Sequence, residues 1–181
     1  MNSRAAWAPP LSGPIRQIGY VVRDFDEAMA EWVAMGVGPW YVVRNRVQHA
    51  VYRGKPIEVT ISVGFANSGD LQVELIHQHC ETPSIFTEFL GACGGGFHQL
   101  AWWVTNFDHA VAAAEATGWP VVWSGGEDTA TRFAYLEPPA GSPPTIFELM
   151  ELTQATEGMG AFFRDAAAGW DGADPVRTLG A

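Results

Sequence analysis

Residues 17–28 read QIGYVVRDFDEA, and residues 99–110 read QLAWWVTNFDHA. The two stretches align without a gap, and each has the pattern of a strand, a turn and the beginning of a helix. Further along, residues 72–76 (QVELI) and 146–150 (IFELM) share an apolar pattern around a central glutamate. Residue 99 lies 82 positions after residue 17, and residue 148 lies 74 positions after residue 74, so one duplication with a different loop length explains both pairs.

Each copy has the same order of predicted elements. The first copy has a strand at 15–22 and a helix at 24–35, with Asp24 as a capping residue and Gly36 at the stop. The second copy repeats the helix with Asn106 as its cap and Gly118 at its stop. The β-rich stretches that follow are 39–51, 57–65 and 72–76 in the first half, and 120–123, 131–136 and 146–150 in the second. Each half is therefore predicted to be a β-α-β-β-β module, which makes the fold class α+β.

The predicted organisation has four parts. Residues 1–13 form a flexible lead, 14–92 the first module with a linker helix from Ser84, 93–152 the second module, and 153–181 a C-terminal helix and tail. The last helix, at 158–170, is expected to pack its aromatic residues on the outside of the domain. The glycine run at 94–96 is a plausible hinge between the modules, and residues 171–181 carry no periodic signal.

Composition limits the class of partner. A chain of 181 residues that is 48% hydrophobic can bury a sizeable core. Its net charge of −10 argues against nucleic-acid and anionic-membrane partners, since both need clustered cations. No apolar run in residues 1–13 is long enough for a signal peptide, so we expect a cytoplasmic location. Cys80 and Cys93 are expected to be free thiols.

These features resemble the vicinal-oxygen-chelate superfamily. The resemblance is carried by the paired β-α-β-β-β modules, the GGFHQLA opening of the second module at 95–101, and the closing strands with VEL and FEL at 73–75 and 147–149. It covers residues 14–152 and implies a curved, open, barrel-like sheet around a cleft. The superfamily includes glyoxalase I, methylmalonyl-CoA epimerase, extradiol dioxygenases and bleomycin-resistance proteins, so the fold does not fix the reaction.

The resemblance also nominates a site. Such folds place four inward-facing residues around a divalent metal, and the matching positions here are Gln17, Glu74, Gln99 and Glu148. Metal-dependent relatives usually have histidine at the positions of Gln17 and Gln99. The all-oxygen set found here favours magnesium, manganese or cobalt over iron. His98 adjoins Gln99, but strand alternation is expected to turn it to the opposite face.

Two chemistries remain open for these four residues. With a metal, the ion polarises a substrate carbonyl while a glutamate moves a proton from the adjacent carbon. Without a metal, Glu74 and Glu148 act as base and acid, one of them with a raised pKa, while Gln17 and Gln99 donate hydrogen bonds to a substrate oxygen. A third interpretation is a paired polar network with no turnover.

The character of the ligand is suggested by aromatic residues. Trp40, Trp103 and Tyr135 fall in strands that, in this fold, curve around the cleft, and they are expected to contact an apolar or aromatic ligand with one carbonyl or hydroxyl group. Four cations lie within residues 44–55, namely Arg44, Arg46, Arg53 and Lys55. They either anchor a carboxylate or phosphate of a substrate or form the solvated face of a hairpin.

Two functions from different classes follow. The first is a lyase, isomerase or epimerase that abstracts a proton next to a carbonyl of a small, largely apolar substrate. The alternative is a metal-free protein that sequesters such a compound, as drug-resistance members of the superfamily do. The resemblance also implies a homodimer.

Overall fold

The computed structural model describes residues 11–127, 131–141 and 145–179. Most of the N-terminal lead, residues 1–10, and the last two residues of the tail lie outside the described residues. The helices within the described part are α1 (Phe25–Ala34), α2 (Ile85–Cys93), α3 (Phe107–Ala116) and α4 (Gln154–Ala168). The strands are β1 (Gln17–Val21), β2 (Trp40–Tyr52), β3 (Lys55–Ser68), β4 (Leu71–Gln78), β5 (Gly96–Val104), β6 (Val121–Gly125), β7 (Phe133–Leu136), β8 (Ile146–Glu151) and β9 (Val176–Thr178).

The duplicated strand-to-helix unit forms as the sequence predicts. Asp24 caps α1 by accepting a hydrogen bond from the backbone N–H of Glu27, and Asn106 caps α3 in the same way from His109. The sequence then runs β2-β3-β4 after α1 and β6-β7-β8 after α3, which gives two β-α-β-β-β modules. Ser84 caps the linker helix α2, close to the predicted start.

The sheet closes on itself. Strand order is β3-β4-β1-β5-β8-β7-β6-β2-β9, and β2 also pairs with β3, so eight strands form a ring with β9 added beside β2. The ring closes because β2 is 13 residues long: its end, Ala50–Tyr52, pairs with β6. The predicted α+β fold with a curved sheet around a cleft is confirmed, and the wall predicted to be open has this additional closing contact.

Apolar clusters fill both sides of this wall. On the outside, α1 buries Phe25 and Met29 against the first module, and α3 buries Phe107 and Ala110 against the second. On the inside, Phe86 of α2 and Trp123 of β6 belong to a cluster that also contains residues of β3 and β4. The cleft lies next to this inner cluster, so its walls are held by packed side chains.

The C-terminal helix was predicted to pack on the outside of the domain, but it packs across the mouth of the cleft. It begins at Gln154, earlier than predicted, with Thr153 as its cap. Its Phe163 is buried and stacks on Phe65 of β3 at a ring distance of 5.6 Å. The apolar face of α4 was visible in the sequence, but the surface that it covers depends on the folded barrel. No helix among the described residues is long and apolar enough to cross a membrane.

Candidate active site

A cavity of about 330 Å³ lies inside the barrel beneath α4. Four of the residues that the sequence nominated line it together: Glu74 on β4, Glu148 on β8, Tyr135 on β7 and Trp103 on β5. Apolar residues of β3, including Val63 and Phe65, form one wall, and Met159 and Phe163 of α4 form the roof. A mainly apolar cavity with a few polar groups at one place is the usual form of a small-molecule site.

Gln99 connects the polar groups beneath the cavity. Its side-chain Nε2 donates to Glu74 Oε2 at 3.1 Å and to Tyr135 Oη at 3.0 Å. Its Oε1 faces Nδ1 of His98, so this orientation of the amide requires His98 to carry its proton on Nδ1. The chain of hydrogen bonds therefore runs from His98 through Gln99 to Glu74 and Tyr135.

Gly19 makes the Gln99 contact possible. In the register of the sheet, Gly19 of β1 lies directly between Glu74 of β4 and Gln99 of β5. A Cβ atom at position 19 would lie 2.2 Å from Cδ and Nε2 of Gln99, far inside van der Waals contact. The amide crosses the strand in the space that a side chain would otherwise occupy.

The second copy lacks this arrangement. The sheet neighbour of Gln99 is Gly19, whereas the sheet neighbour of its counterpart Gln17 is Ala101. Ala101 lies between Gln17 and Glu148 in the sheet. Gln17 instead donates from Nε2 to Oε1 of Gln72 at 2.9 Å. Its own Oε1 and Oε2 of Glu148 are both buried and have no hydrogen-bond partner. The two glutamates, equivalent in sequence, are therefore held differently.

Burial decides the protonation of this site. Desolvation raises the pKa of Glu74 to about 8, and the hydrogen bond from Gln99 opposes the rise. Burial also raises the pKa of Glu148 well above its usual range, and the charge on Glu74 raises it further. Desolvation and the two carboxylates keep the pKa of Tyr135 well above 10. Burial lowers the pKa of His98 to about 4, so its imidazole is neutral.

The comparisons with known proteins identify the family to which this fold belongs. Residues 16–135 match the family model described as the glyoxalase, bleomycin resistance protein and dioxygenase superfamily. The chain belongs to this superfamily. No curated protein matches the chain.

Solved structures of the superfamily fold are similar to the chain at low sequence identity. Methylmalonyl-CoA epimerase from Mycobacterium tuberculosis is 19% identical, with a TM-score of 0.56 over 86% of this chain and 97% of that one. A hypothetical protein from Bacillus halodurans C-125 is 16% identical, with a TM-score of 0.57 over 78% and 95%. A Streptomyces coelicolor methylmalonyl-CoA epimerase variant, bound to 2-nitronate-propionyl-CoA, is 20% identical, with a TM-score of 0.55 over 80% and 96%. At these identities the likeness shows the fold.

The four residues at the superfamily's metal-binding positions do not fit a four-ligand oxygen shell here. Gln99 presents Nε2 to Glu74, and its Oε1 is occupied by His98. The amide of Gln17 is bonded to Gln72, which leaves only one oxygen of that side chain unpaired. No group of three or more His, Cys, Asp or Glu in the described ranges is arranged to hold a metal ion. The donor set therefore gives no basis for a step through a metal.

The structure corrects three expectations about individual residues. Trp40 does not reach the cleft: it is fully buried in the outer cluster with Phe25. Gln17 and Gln99 are fully buried and do not line the cavity, so Gln99 positions other groups without touching a ligand. His98 does not face away from Gln99, because the β1–β5 register shifts at this point and His98 is an extra residue of β5.

Sequence reasoning missed several residues that build the site. Gly19 has a signal in the repeat, because the second copy has alanine at this position and its glutamine takes another path. Gln72 shares the apolar alternation of its strand, and only its partner Gln17 reveals its role. Met159 and Phe163 gave no signal, since nothing in the sequence places α4 over the cleft.

Proposed function

We propose that the protein is an epimerase or isomerase that moves a proton at the carbon next to a carbonyl group of a small, largely apolar substrate. The observation that carries the proposal is the pair of buried glutamates, Glu74 and Glu148, at one place in an enclosed apolar cavity. Both have a raised pKa, which brings a carboxyl into the range useful for proton transfer at neutral pH. The carbonyl makes the adjacent C–H bond more acidic, and the two glutamates supply the base and the acid.

The hydrogen bonds divide the two roles. Glu74 accepts from Gln99, which favours its ionised form, so Glu74 is the base. Burial and the charge on Glu74 raise the pKa of Glu148, although Gln99 also opposes this rise, and one oxygen of Glu148 has no partner, so Glu148 holds the proton and is the acid. In the reaction, Glu74 takes the proton, the C–H electron pair moves into an enolate, and Glu148 protonates carbon. Delivery to the opposite face gives epimerisation, and delivery to another carbon gives isomerisation.

Tyr135 stabilises the developing negative charge. Its phenol stays protonated because its pKa is raised, and its oxygen already accepts a hydrogen bond from Gln99. The O–H is thus free to donate to the enolate oxygen in the cavity, which is the role of an oxyanion hole. His98 and Gln99 act as positioning residues, since they fix the orientation of Glu74 and Tyr135 from behind.

The small number of cations in the chain and the cavity beneath α4 favour a compact substrate. Two epimerase structures similar to this chain carry names that specify coenzyme A esters. Here a cavity of about 330 Å³ is roofed by Met159 and Phe163, and the chain has only ten lysines and arginines in all. The phosphates of coenzyme A favour a site with several cations, which this chain is short of, so we propose a compact substrate in place of a coenzyme A ester.

Exchange of substrate protons with solvent tests the function directly. In D2O, wild-type protein should accelerate exchange of the α-proton of a small aryl ketone, followed by NMR. Glu74→Gln and Glu148→Gln should each lower the rate by at least a hundredfold. Glu58→Gln, on the exposed part of β3, is the matched control and should keep the wild-type rate. Equal rates in wild type and Glu74→Gln would refute the proposal.

Ligand sequestration is a second candidate. The raised pKa values favour it too, because neutral carboxyls in a cavity can donate hydrogen bonds to a ligand oxygen without the cost of buried charge. In that case Glu74→Gln and Glu148→Gln should weaken binding, with no exchange in any variant. An enzyme should instead lose exchange while its affinity changes little.

A further inference from the structure

A β-bulge in β2 decides which of its side chains enter the cleft. Val43 pairs with Val63 of β3, and Arg46 pairs with Ile61. The pairing therefore advances by three residues along β2 and by only two along β3. The extra residue coincides with Asn45, which has a left-handed φ of 52°. Bulges of this kind reverse the alternation of a strand and redirect its side chains.

Because of the bulge, the apolar and polar side chains of the second part of β2 exchange faces of the sheet. Beyond the bulge, Arg46 and Gln48 line the cavity. The valines of the same stretch, Val47 and Val51, point outward and are 50% and 39% exposed. Without the bulge the valines would face the apolar cavity and the two polar residues would face solvent. Arg46 is itself exposed at the rim of the cavity and Gln48 is half-buried, so the bulge places a charged and a polar side chain where a ligand would enter.

Arg46 and Gln48 are also without partners inside the protein. Arg46 makes no hydrogen bond or ion pair within the described ranges, whereas the other arginines there contact a carboxylate or another oxygen. Two positions earlier, Arg44 is paired with Asp26 on the outer surface. Oε1 of Gln48 is buried and unpaired, so it can accept a hydrogen bond from a donor group of a ligand. Arg46 is exposed, so its guanidinium is open to a ligand that enters the cavity.

We infer that Arg46 binds a carboxylate group of the substrate, at the end of the cavity away from Glu74 and Glu148. This inference rests on the proposed function and deepens it by naming the substrate class: carbonyl compounds with an apolar middle and a carboxylate at the far end. One guanidinium matches the single charge of a carboxylate and its planar shape.

The register separates the two ends of such a molecule. Arg46 lies opposite Ile61 of β3, and Glu74 lies opposite Phe65. Four residues along a strand correspond to about 14 Å, from which the two side chains must be subtracted. Between them the wall is formed by Val63 and Phe65, which suits hydrocarbon. A substrate carboxylate at the other end would meet the ionised Glu74, and the repulsion favours the orientation with the carboxylate at Arg46.

Binding of a matched pair of compounds tests the inference. The probe is γ-benzoylbutyrate, an aryl ketone with a carboxylate at the end of a three-carbon chain, and its methyl ester is the neutral match. Isothermal titration should show that wild type binds the acid about ten- to a hundredfold more tightly than the ester, the range expected for a charged hydrogen bond. Added salt should weaken binding of the acid and leave the ester unchanged.

The variants assign this preference to one side chain. Arg46→Gln should remove the preference for the acid, and Arg46→Lys should keep part of it. Arg44→Gln removes an equal charge from the same strand on the outer face and should keep the preference. The inference is overturned by equal binding of acid and ester, by an equal effect of Arg44→Gln, or by no binding of either at ten millimolar.

The inference and the proposed function can fail separately. If the acid is preferred through Arg46 but its α-protons do not exchange, the carboxylate site stands and the proton-transfer function falls. If protons exchange equally well in the acid and the ester, and Arg46→Gln changes neither rate, the function stands and the carboxylate site falls.

Discussion

Substitution of Gly19 by alanine should break the hydrogen bonds behind the active site without touching the cavity. The new Cβ would lie 2.2 Å from Cδ and Nε2 of Gln99 and 2.6 Å from its Oε1, so the amide must leave its position. Glu74 and Tyr135 then both lose their donor. Two buried hydrogen bonds correspond to about 2–4 kcal/mol of unfolding free energy, or roughly 5–15 °C in melting temperature for a chain of this size.

The same substitution should move the pH dependence of catalysis. Because the bond from Gln99 lowers the pKa of Glu74, its loss should raise that pKa above about 8. Base catalysis needs the ionised carboxylate, so the rise of the exchange rate with pH should shift to higher pH. Urea unfolding measures the stability, and α-proton exchange in D2O between pH 6 and pH 10 measures the shift.

A double variant separates this mechanism from general damage to β1. Gln99→Ala removes the amide that the new Cβ would strike, so Gly19→Ala combined with Gln99→Ala should be about as stable as Gln99→Ala alone. Gly91→Ala, in α2 with nothing within 4 Å of the added Cβ, is the control and should be neutral or stabilising by about 1 kcal/mol. Wild-type stability of Gly19→Ala, or additive effects in the double variant, would refute the reasoning.

Two further predictions concern pH and the C-terminal helix. A carboxyl with a raised pKa binds its proton more tightly in the folded state than in the unfolded state, so between pH 4.5 and about 8 stability should fall as pH rises, by up to about 1 kcal/mol per pH unit for Glu74. Glu74→Gln should flatten this slope, and Glu58→Gln should not. A wild-type protein that gains stability from Glu74 over this pH range would contradict the prediction. In α4, Gly160→Ala would place a Cβ 2.5 Å from Trp103, so it should raise the KM for exchange and lower stability by about 1–3 kcal/mol. The added Cβ of the control Gly158→Ala meets nothing within 4 Å, so this variant should change neither quantity. Equal KM values for the two variants would show that the contact with Trp103 does not position the helix.

The duplicated pattern was sufficient to predict the modules and the glutamates. It fixed which residues lie in equivalent strands, and Glu74, Glu148, Trp103 and Tyr135 do meet in one cavity. Their convergence follows from alternation, which needs only the strand period and a closed sheet. The prediction that Trp40 contacts the ligand was wrong because Trp40 lies before the bulge of β2, in the stretch where even-numbered residues face α1.

What the sequence could not predict lies at the irregular points of the sheet. The bulge in β2 and the register shift at His98 each change the face of the residues that follow, and both depend on how many residues the neighbouring strand uses. A single strand read alone carries no such information. The position of α4 over the cleft has the same cause, since its partners Phe65 and Trp103 come from distant strands.

On the proposed function, the difference between the two copies would let a duplicated site hold an acid and a base. Gln99 has the apolar Ile146 on its other side and open space over Gly19, so its amide turns to Glu74. Gln17 has the polar Gln72 on its other side and the methyl group of Ala101 in the way, so its amide turns from Glu148. These two differences give Glu74 a hydrogen bond from Gln99 and leave one oxygen of Glu148 without a partner. An enzyme that moves a proton across a substrate needs this inequality, and a perfectly symmetric pair would lack it.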